Sequence, residues 1–424
     1  MVLDHPLRDT LASEVHARPF LRLEGSARLS HLAIYDAARP ELHHRLLSSL
    51  CAAFGTAPPP PSANHFTARH AELLLKWERH TEFSSFTFVL EHGGGEPFSD
   101  NAIDRVPATW LAELAGTRLV ALHAEVVERA AAERVRGALA RWFAGPVLVG
   151  SRVLTGGEVW CDWHIGPDGY SRFLVLDLDF REAQVGRLLQ RLYEIETYRM
   201  MALLALPVAR EMAGTLGQLE AELAAIMARM DADRDGSGDP ALLQQLTRLA
   251  AHVQALAAHS TRFNASGAYD RLLFARIAEL REERIEGVPT IGEFMERRLS
   301  PAMNTCRAVQ ARHETLATRV ARAVDLLRTR VNLAQERQTN ALLQGMNRTA
   351  RTQLQMQHAV EGLSVAAISY YVLSLIAVAF KALKQAGLPV SPEIGQGVLI
   401  VPVVLGVYFG VRRLHKTFAA GETH

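Results

Sequence analysis

The chain has 424 residues, with 46 basic and 45 acidic side chains and a formal net charge of +1. This length calls for more than one structural unit, and the charge balance gives no electrostatic footprint for nucleic acid. Three widely separated cysteines, Cys51, Cys161 and Cys306, form no CxxC pair or finger spacing. They exclude a disulfide framework and point to a reducing compartment.

The opening stretch, MVLDHPLRDTLASEVHARPF, has early acids and no apolar run of signal-peptide length. The N-terminus is therefore expected to stay in the cytoplasm. From there to about Arg181 the pattern is mixed. Strands are predicted at Arg28–Tyr35, Glu72–Trp77, Phe83–Leu90, Arg118–Val127, Val159–His164 and Phe173–Phe180. Helices are predicted at Pro40–Phe54 and around Ala131–Phe143, with the proline run Ala57–Pro61 as a break. Strands as close as Glu72–Trp77 and Phe83–Leu90 favour antiparallel hairpins, so residues 1–181 read as an α+β domain.

A long helix, Glu182 to Leu206, leads out of this domain and is expected to stop before Pro207. Leu216, Leu219, Leu223, Ile226 and Met230 form one heptad-like stripe, and Leu242 or Leu243, then Leu246, Leu249, Val253, Leu256 and Ser260 another. The break between them contains Asp231, Asp233, Asp235 and Gly236, which match the opening of a calcium loop. The closing bidentate Glu is missing, since Leu242 stands there. A helix–helix turn with Asp239 capping the second helix is the simpler reading. Val320, Ala323, Leu327, Val331, Ala334, Gln338 and Leu342 continue an eleven-residue period. Residues 182–359 are thus expected to be long helices forming a coiled-coil-like stalk.

Gly362–Phe380 and Ile394–Val411 carry no charged residue. About 20 apolar residues span a bilayer, and Gly387, Pro389 and Pro392 provide a turn between the runs. A transmembrane hairpin over 360–412 is expected, followed by a basic tail, 413–424. Arg348 and Arg351 before it, with Arg412, Arg413 and Lys416 after it, put both termini on the cytoplasmic side of the inner (cell) membrane. Ser369, Tyr370, Tyr371 and Ser374 place hydroxyls in the first span, and Gly406 and Gly410 a small-xxx-small spacing in the second. Both features suit helix packing, within the hairpin or between subunits. The partners implied are the lipid bilayer and a second copy or another protein.

Chemistry-bearing patterns are sparse. Asp177 and Asp179 share a predicted strand face, as do Asp162 and His164, and these four are the weak metal candidates. His92–Gly95, HGGG, resembles an esterase oxyanion fragment, yet no GxSxG follows. There is no GxxxxGK[ST], GxGxxG or HExxH. No catalytic residue and no cofactor are expected.

The stretches HPLRDTLASEVHARPF, GRLLQRLYEIETYRMMALLALPVAR, RRLSPAMNTCRAVQARHETLATRVARAVDLLRTRVN and VEGLSVAAISYY resemble a family of bacterial uncharacterised membrane-anchored proteins, domain of unknown function 3422. That resemblance implies a membrane anchor and supplies no catalytic residues. The architecture also looks like that of CorA-type magnesium channels, which have a cytoplasmic mixed domain, stalk helices and two C-terminal spans. Their Gly-Met-Asn motif follows the first span. Here Gly345-Met346-Asn347 precedes it. The reading is therefore a membrane-anchored interaction or scaffold protein that self-associates through its helices. A CorA-like cation channel and a metal-dependent membrane enzyme are the alternatives.

Overall fold

The computed structural model describes residues 5, 7–8, 12, 20–23, 25–91, 95–181, 183–233, 236–385 and 392–419. Two units result: Met1–Asp231 with Gln244–Val324, and Ala232–Leu243 with Asp325–His424.

The first unit is built on a nine-stranded sheet in the order β2-β3-β4-β1-β5-β8-β7-β6-β9. Its strands are β1 (Ala27–Tyr35), β2 (His65–His70), β3 (Leu73–Arg79), β4 (Phe83–Glu91), β5 (Arg118–Val127), β6 (Val149–Val153), β7 (Gly157–Cys161), β8 (Ser171–Asp177) and β9 (Glu283–Arg284). All neighbours are antiparallel except β5 and β8, which run parallel. The expected pairing of β3 with β4 is present, with Trp77 opposite Phe86.

The sheet is apolar on both faces because both are covered. On one face α1 (Pro40–Ala53) and α2 (Ala108–Glu113) pack Leu46, Leu50 and Trp110 onto Leu32, Phe86 and Phe88. The Trp110 indole donates to the Leu46 carbonyl at 2.8 Å and ties α2 to α1. On the same face α3 (Arg129–Arg136) packs Ala132 and Val135 with Trp160, Leu174 and Leu176. The opposite face takes α4 (Gln184–Leu203), α7 (Ser260–Glu279) and α8 (Ile291–Arg298), which bury Leu188, Leu192, Leu273 and Met295 against Leu29, Val89 and Val175. Helices beyond residue 181 thus complete the core of the sheet.

Several predicted boundaries differ. β7 ends at Cys161 and β8 at Asp177, short of His164 and Phe180. The segment 131–143 divides into α3 and a 3-10 turn, Leu139–Arg141, with Gly137 capping α3. α4 stops at Leu203 and α5 (Ala205–Ala232) begins at once, with Pro207 in its first turn. Proline fits there because the first helical N–H groups have no intrahelical acceptor. The exposed strand β2 and the short β6 escaped prediction.

α5, α6 (Asp239–Leu256) and the start of α9 (Ser300–Gln385) bury the predicted stripes, including Leu216, Leu223, Leu246, Leu249 and Leu316. Arg312 of α9 donates to Glu220 of α5 at 2.7 Å. His313 of α9 bonds the Val253 carbonyl of α6 at 3.0 Å. At the turn between α5 and α6, Asp233 accepts from the N–H groups of Gly236 and Gly238. This is turn chemistry, and Asp235 lies outside the described residues.

In the second unit α9 continues as one helix. It has 86 residues, Ser300–Gln385. Val320, Ala323 and Leu327 are buried, whereas Leu333, Leu342, Leu343 and Met346 stand 48–69% exposed. α10 covers Pro392–Ala419. Among the described residues one helical stretch, Ile291–Ala382, is long and apolar enough to cross a membrane, with a window of mean hydropathy 2.1 that is 11% buried. A two-helix hairpin is not established. Residues 386–391, where its turn is expected, lie outside the described residues.

Candidate functional site

β1 and β5 are adjacent, and polar residues recur at alternate positions of both. Arg28 faces Glu125 and Ser30 faces His123 across the ladder. Their side chains share one sheet face, two residues apart on each strand. The row runs toward the C-terminal end of β5, where α3 begins. There a cleft of about 400 Å³ is lined by Ser26, Gly95, Glu125, Glu128 and Arg134. Crevices beyond strand C-termini are the usual ligand sites of sheets with helical crossovers.

Glu125 of this lining is held from behind by an ion pair. Arg28 Nε donates to Glu125 Oε1 at 3.0 Å, with both side chains about 5% exposed. Arg28 also donates from Nη1 to the Asp100 carbonyl at 3.0 Å and from Nη2 to that of Glu96 at 3.4 Å. The loop 95–101 is thereby folded around one guanidinium. Phe98 within it has a left-handed backbone (φ 62°), and its N–H donates to Glu125 Oε2 at 3.4 Å. Burial pushes Glu125 up to about 6, against the downward pull of Arg28. A carboxyl titrating so close to neutrality is suited to accepting a ligand proton or hydrogen bond.

Next to the pair, Ser30 Oγ lies 2.9 Å from His123 Nδ1 and accepts from the Ile103 N–H at 3.1 Å. The His123 ring stacks on Tyr170 at 4.0 Å, and the Arg118 guanidinium sits 5.3 Å from the centre of that Tyr. Burial lowers His123 to about 4, so its ring is neutral at physiological pH. The Ser–His distance is that of an activated nucleophile. Both side chains are fully enclosed, however, and the pair serves as a hydrogen-bonded wall behind the cleft.

The other sheet face holds a second polar cluster under α4. His31 Nδ1 bonds Thr87 Oγ1 at 2.8 Å, and its ring stacks on Tyr193 at 4.3 Å. Lys76 Nζ lies 3.1 Å from Glu78 Oε1 and 3.4 Å from the Tyr193 hydroxyl. Burial first, then the Lys76 and His80 charges, lower His31 to about 3. The space left is about 10 Å³, enough for a single water. This cluster is closed.

The four metal candidates do not converge. Gly157 faces Asp177 in the β7/β8 register, and Asp162 lies five residues further along the chain, about 17 Å away at ~3.4 Å per residue. A shared metal needs ligands near 2 Å. Asp162 accepts from Gly145 N at 2.9 Å and His164 N at 3.1 Å. Asp177 accepts from Phe180 N at 2.9 Å, and His164 and Asp179 are exposed. Because β7 and β8 end early, neither pair shares a strand face. Among the described residues no group of three His, Cys, Asp or Glu could hold a metal ion.

In α9, Ser374 Oγ donates to the Tyr370 carbonyl at 2.9 Å, and Tyr370 and Tyr371 are exposed. Ser369 is buried, and its Oγ has no hydrogen-bond partner. A Cβ placed on Gly406 or Gly410 would meet nothing within 4 Å, so these glycines mediate no close helix contact among the described residues. Gly345-Met346-Asn347 lies in the middle of α9 with Met346 exposed. His92–Gly94 lie outside the described residues. The cleft lined by Glu125, with Arg28 and His123 next to it on the sheet, was missed by sequence reasoning. Its signal was present: two paired apolar strands each carry polar residues at i and i+2.

The fold is thus a mixed, two-sided sheet domain followed by long helices, with a cleft at a strand C-terminus. Residues 3–418 match a family described as Protein of unknown function (DUF3422), and the chain belongs to that family. No curated protein matches it.

Proposed function

We propose that the chain is a membrane-anchored interaction protein that self-associates through its helices and presents the sheet unit to the cytoplasm. One observation carries this reading: the charge-free segment Gly362–Phe380 of α9 is left uncovered, with its apolar window 11% buried. A core helix of a soluble protein would be enclosed. Tyr371, Leu375 and Val378 are instead 65–70% exposed, and a bilayer removes that surface from water. In α10 the run Ile394–Val411 is also free of charge and is read as the returning arm. Basic residues outside both runs favour an inner-membrane orientation with both termini inside. Self-association is supported by Leu342, Leu343, Met346, Leu354 and Met356, which stand 53–69% exposed along α9 before the span. Large apolar groups in such a row call for a partner.

The test is a truncation after Gln355. The full chain is expected in the membrane fraction and the truncated one in the soluble fraction. Unchanged fractionation sinks the anchor. A cation channel of CorA-like build is a second reading, favoured by a mixed sheet unit in a chain that also carries an uncovered apolar helix. It requires flux in liposomes from a folded oligomer, and absence of flux removes it.

A further inference from the structure

α7 and α9 leave a cavity between them inside the first unit. From α7 come Phe263, Gly267, Asp270 and Arg271, and from α9 Met303, Cys306, Arg307 and Gln310. The α7 residues recur at i, i+4, i+7 and i+8 and the α9 residues at i, i+3, i+4 and i+7, so each set occupies one helix face. The cavity measures about 130 Å³, on the order of the ~150 Å³ apolar cavity that admits benzene. It therefore takes a ligand of about six heavy atoms. Part of the room comes from Gly267, where an added Cβ would find only Arg271 Nη1, at 3.8 Å.

The lining is unusual in its charges. Asp270 is 9% exposed, and its Oδ1 is sealed from solvent with no hydrogen-bond partner. A buried acceptor without a donor costs on the order of 1–3 kcal/mol, more when charged. Burial raises the Asp270 carboxyl while the Arg307 charge opposes that rise. Arg307 Nη2 donates to Asn304 Oδ1 of its own helix at 2.7 Å, which leaves other guanidinium donors for the cavity. Phe263, Met303 and Cys306 supply the apolar wall.

A bare cation in this space would satisfy Asp270 but face two guanidinium groups. A bare anion would satisfy the arginines but face Asp270. A molecule with an ammonium and a carboxylate separated by one carbon meets both demands. We propose that this cavity binds a small zwitterion of the α-amino-acid class, with its ammonium on Asp270, its carboxylate on Arg271 and Arg307, and a short side chain against Met303 and Cys306. Carboxylate recognition by arginine is directional and charge-assisted, Arg271 and Arg307 stand exposed at the mouth where such a group enters, and an apolar concavity with a few convergent polar groups is the usual form of a ligand site.

The experiment titrates full-length detergent-purified protein with glycine, L-alanine and L-serine, and with propionate and ethylamine as the two halves of alanine. Calorimetry and the shift in Tm are the readouts. At least one amino acid is expected to bind and raise Tm with concentration, with neither half-molecule matching it. Asp270→Asn and Arg307→Gln are each expected to weaken binding at least tenfold while the circular dichroism spectrum is unchanged. Gly267→Val fills the space beside the Arg271 guanidinium without removing a charge and should abolish binding, which keeps the test decisive should Asp270→Asn fail to fold. No response to any amino acid, an equal response to ethylamine or propionate, or undiminished binding by Gly267→Val overturns the assignment.

Discussion

Glu125 and His123 are neighbours on one strand face, and burial drives them in opposite directions. Glu125 rises to about 6 from its ordinary 4.5. Below pH 4.5 it is protonated in both states. Between 4.5 and 6 the folded chain holds the extra proton, so stability falls as pH rises through that window and is level above it. His123 drops from 6.5 to about 4, and His31 to about 3. Here the unfolded chain takes the proton first, so their contribution is complete above pH 6.5 and is lost as pH falls toward 4 and 3. The His123 shift alone is worth on the order of 3 kcal/mol. Chemical denaturation across pH 4–7 should show net acid destabilisation, and His123→Asn should flatten it. Glu125→Gln should remove the opposing contribution between pH 4.5 and 6, making the net acid destabilisation steeper there. Lys76 and Glu78 form a buried pair across one strand face. Lys76→Met should cost about 3–5 kcal/mol, and the double variant Lys76→Met/Glu78→Leu should recover much of it. A single variant as stable as the wild type in urea would show that the pair is not desolvated. These side chains were legible in sequence only as polar letters in apolar runs. Which of them face each other is a matter of register, and register is not local.

At the scale of elements, periodicity found what it is suited to find. β1, β4, β5 and α1 lie within a residue or two of their predicted bounds because each has a strong apolar pattern. β2 was missed, since its sequence, HFTARH, has little apolar character and it lies at the sheet edge. β8 was predicted too long, because Leu178 and Phe180 extend the alternation after the ladder has stopped. Phe180 instead folds over Gly156 and Gly157, where added Cβ atoms would fall 2.4–2.8 Å from its ring. One helix position tests the packing of α4. A Cβ on Gly186 would lie 1.7 Å from the Leu21 carbonyl oxygen. That oxygen is backbone and cannot rotate away. Gly186→Ala should therefore destabilise by about 3 kcal/mol or more, although Ala is the better helix former. A neutral effect on Tm would mean that the Leu21 segment does not rest on α4.

For the whole molecule, the decisive quantity is what covers the exposed length of α9. If copies associate along it, the detergent-corrected mass of the purified chain should be a multiple of 46.7 kDa. Replacing Leu342, Leu343 and Met346 with Gln should shift the mass toward one copy while the sheet unit keeps its circular dichroism. A monomeric wild type would sink self-association and turn attention to another protein as the partner. Composition and local pattern by themselves determined the mixed N-terminal half, the helical second half, the charge-free runs and the absence of known catalytic motifs. Each of these depends on short-range spacing, which the chain carries in its own order. Only the tertiary structure decided that α4, α7 and α8 close the sheet, that Asp162 and Asp177 stand far apart, and that Glu125 and Asp270 line cavities. These depend on contacts between residues tens to hundreds of positions apart. Pairing at that distance is set by which faces are buried together, and no local period records it.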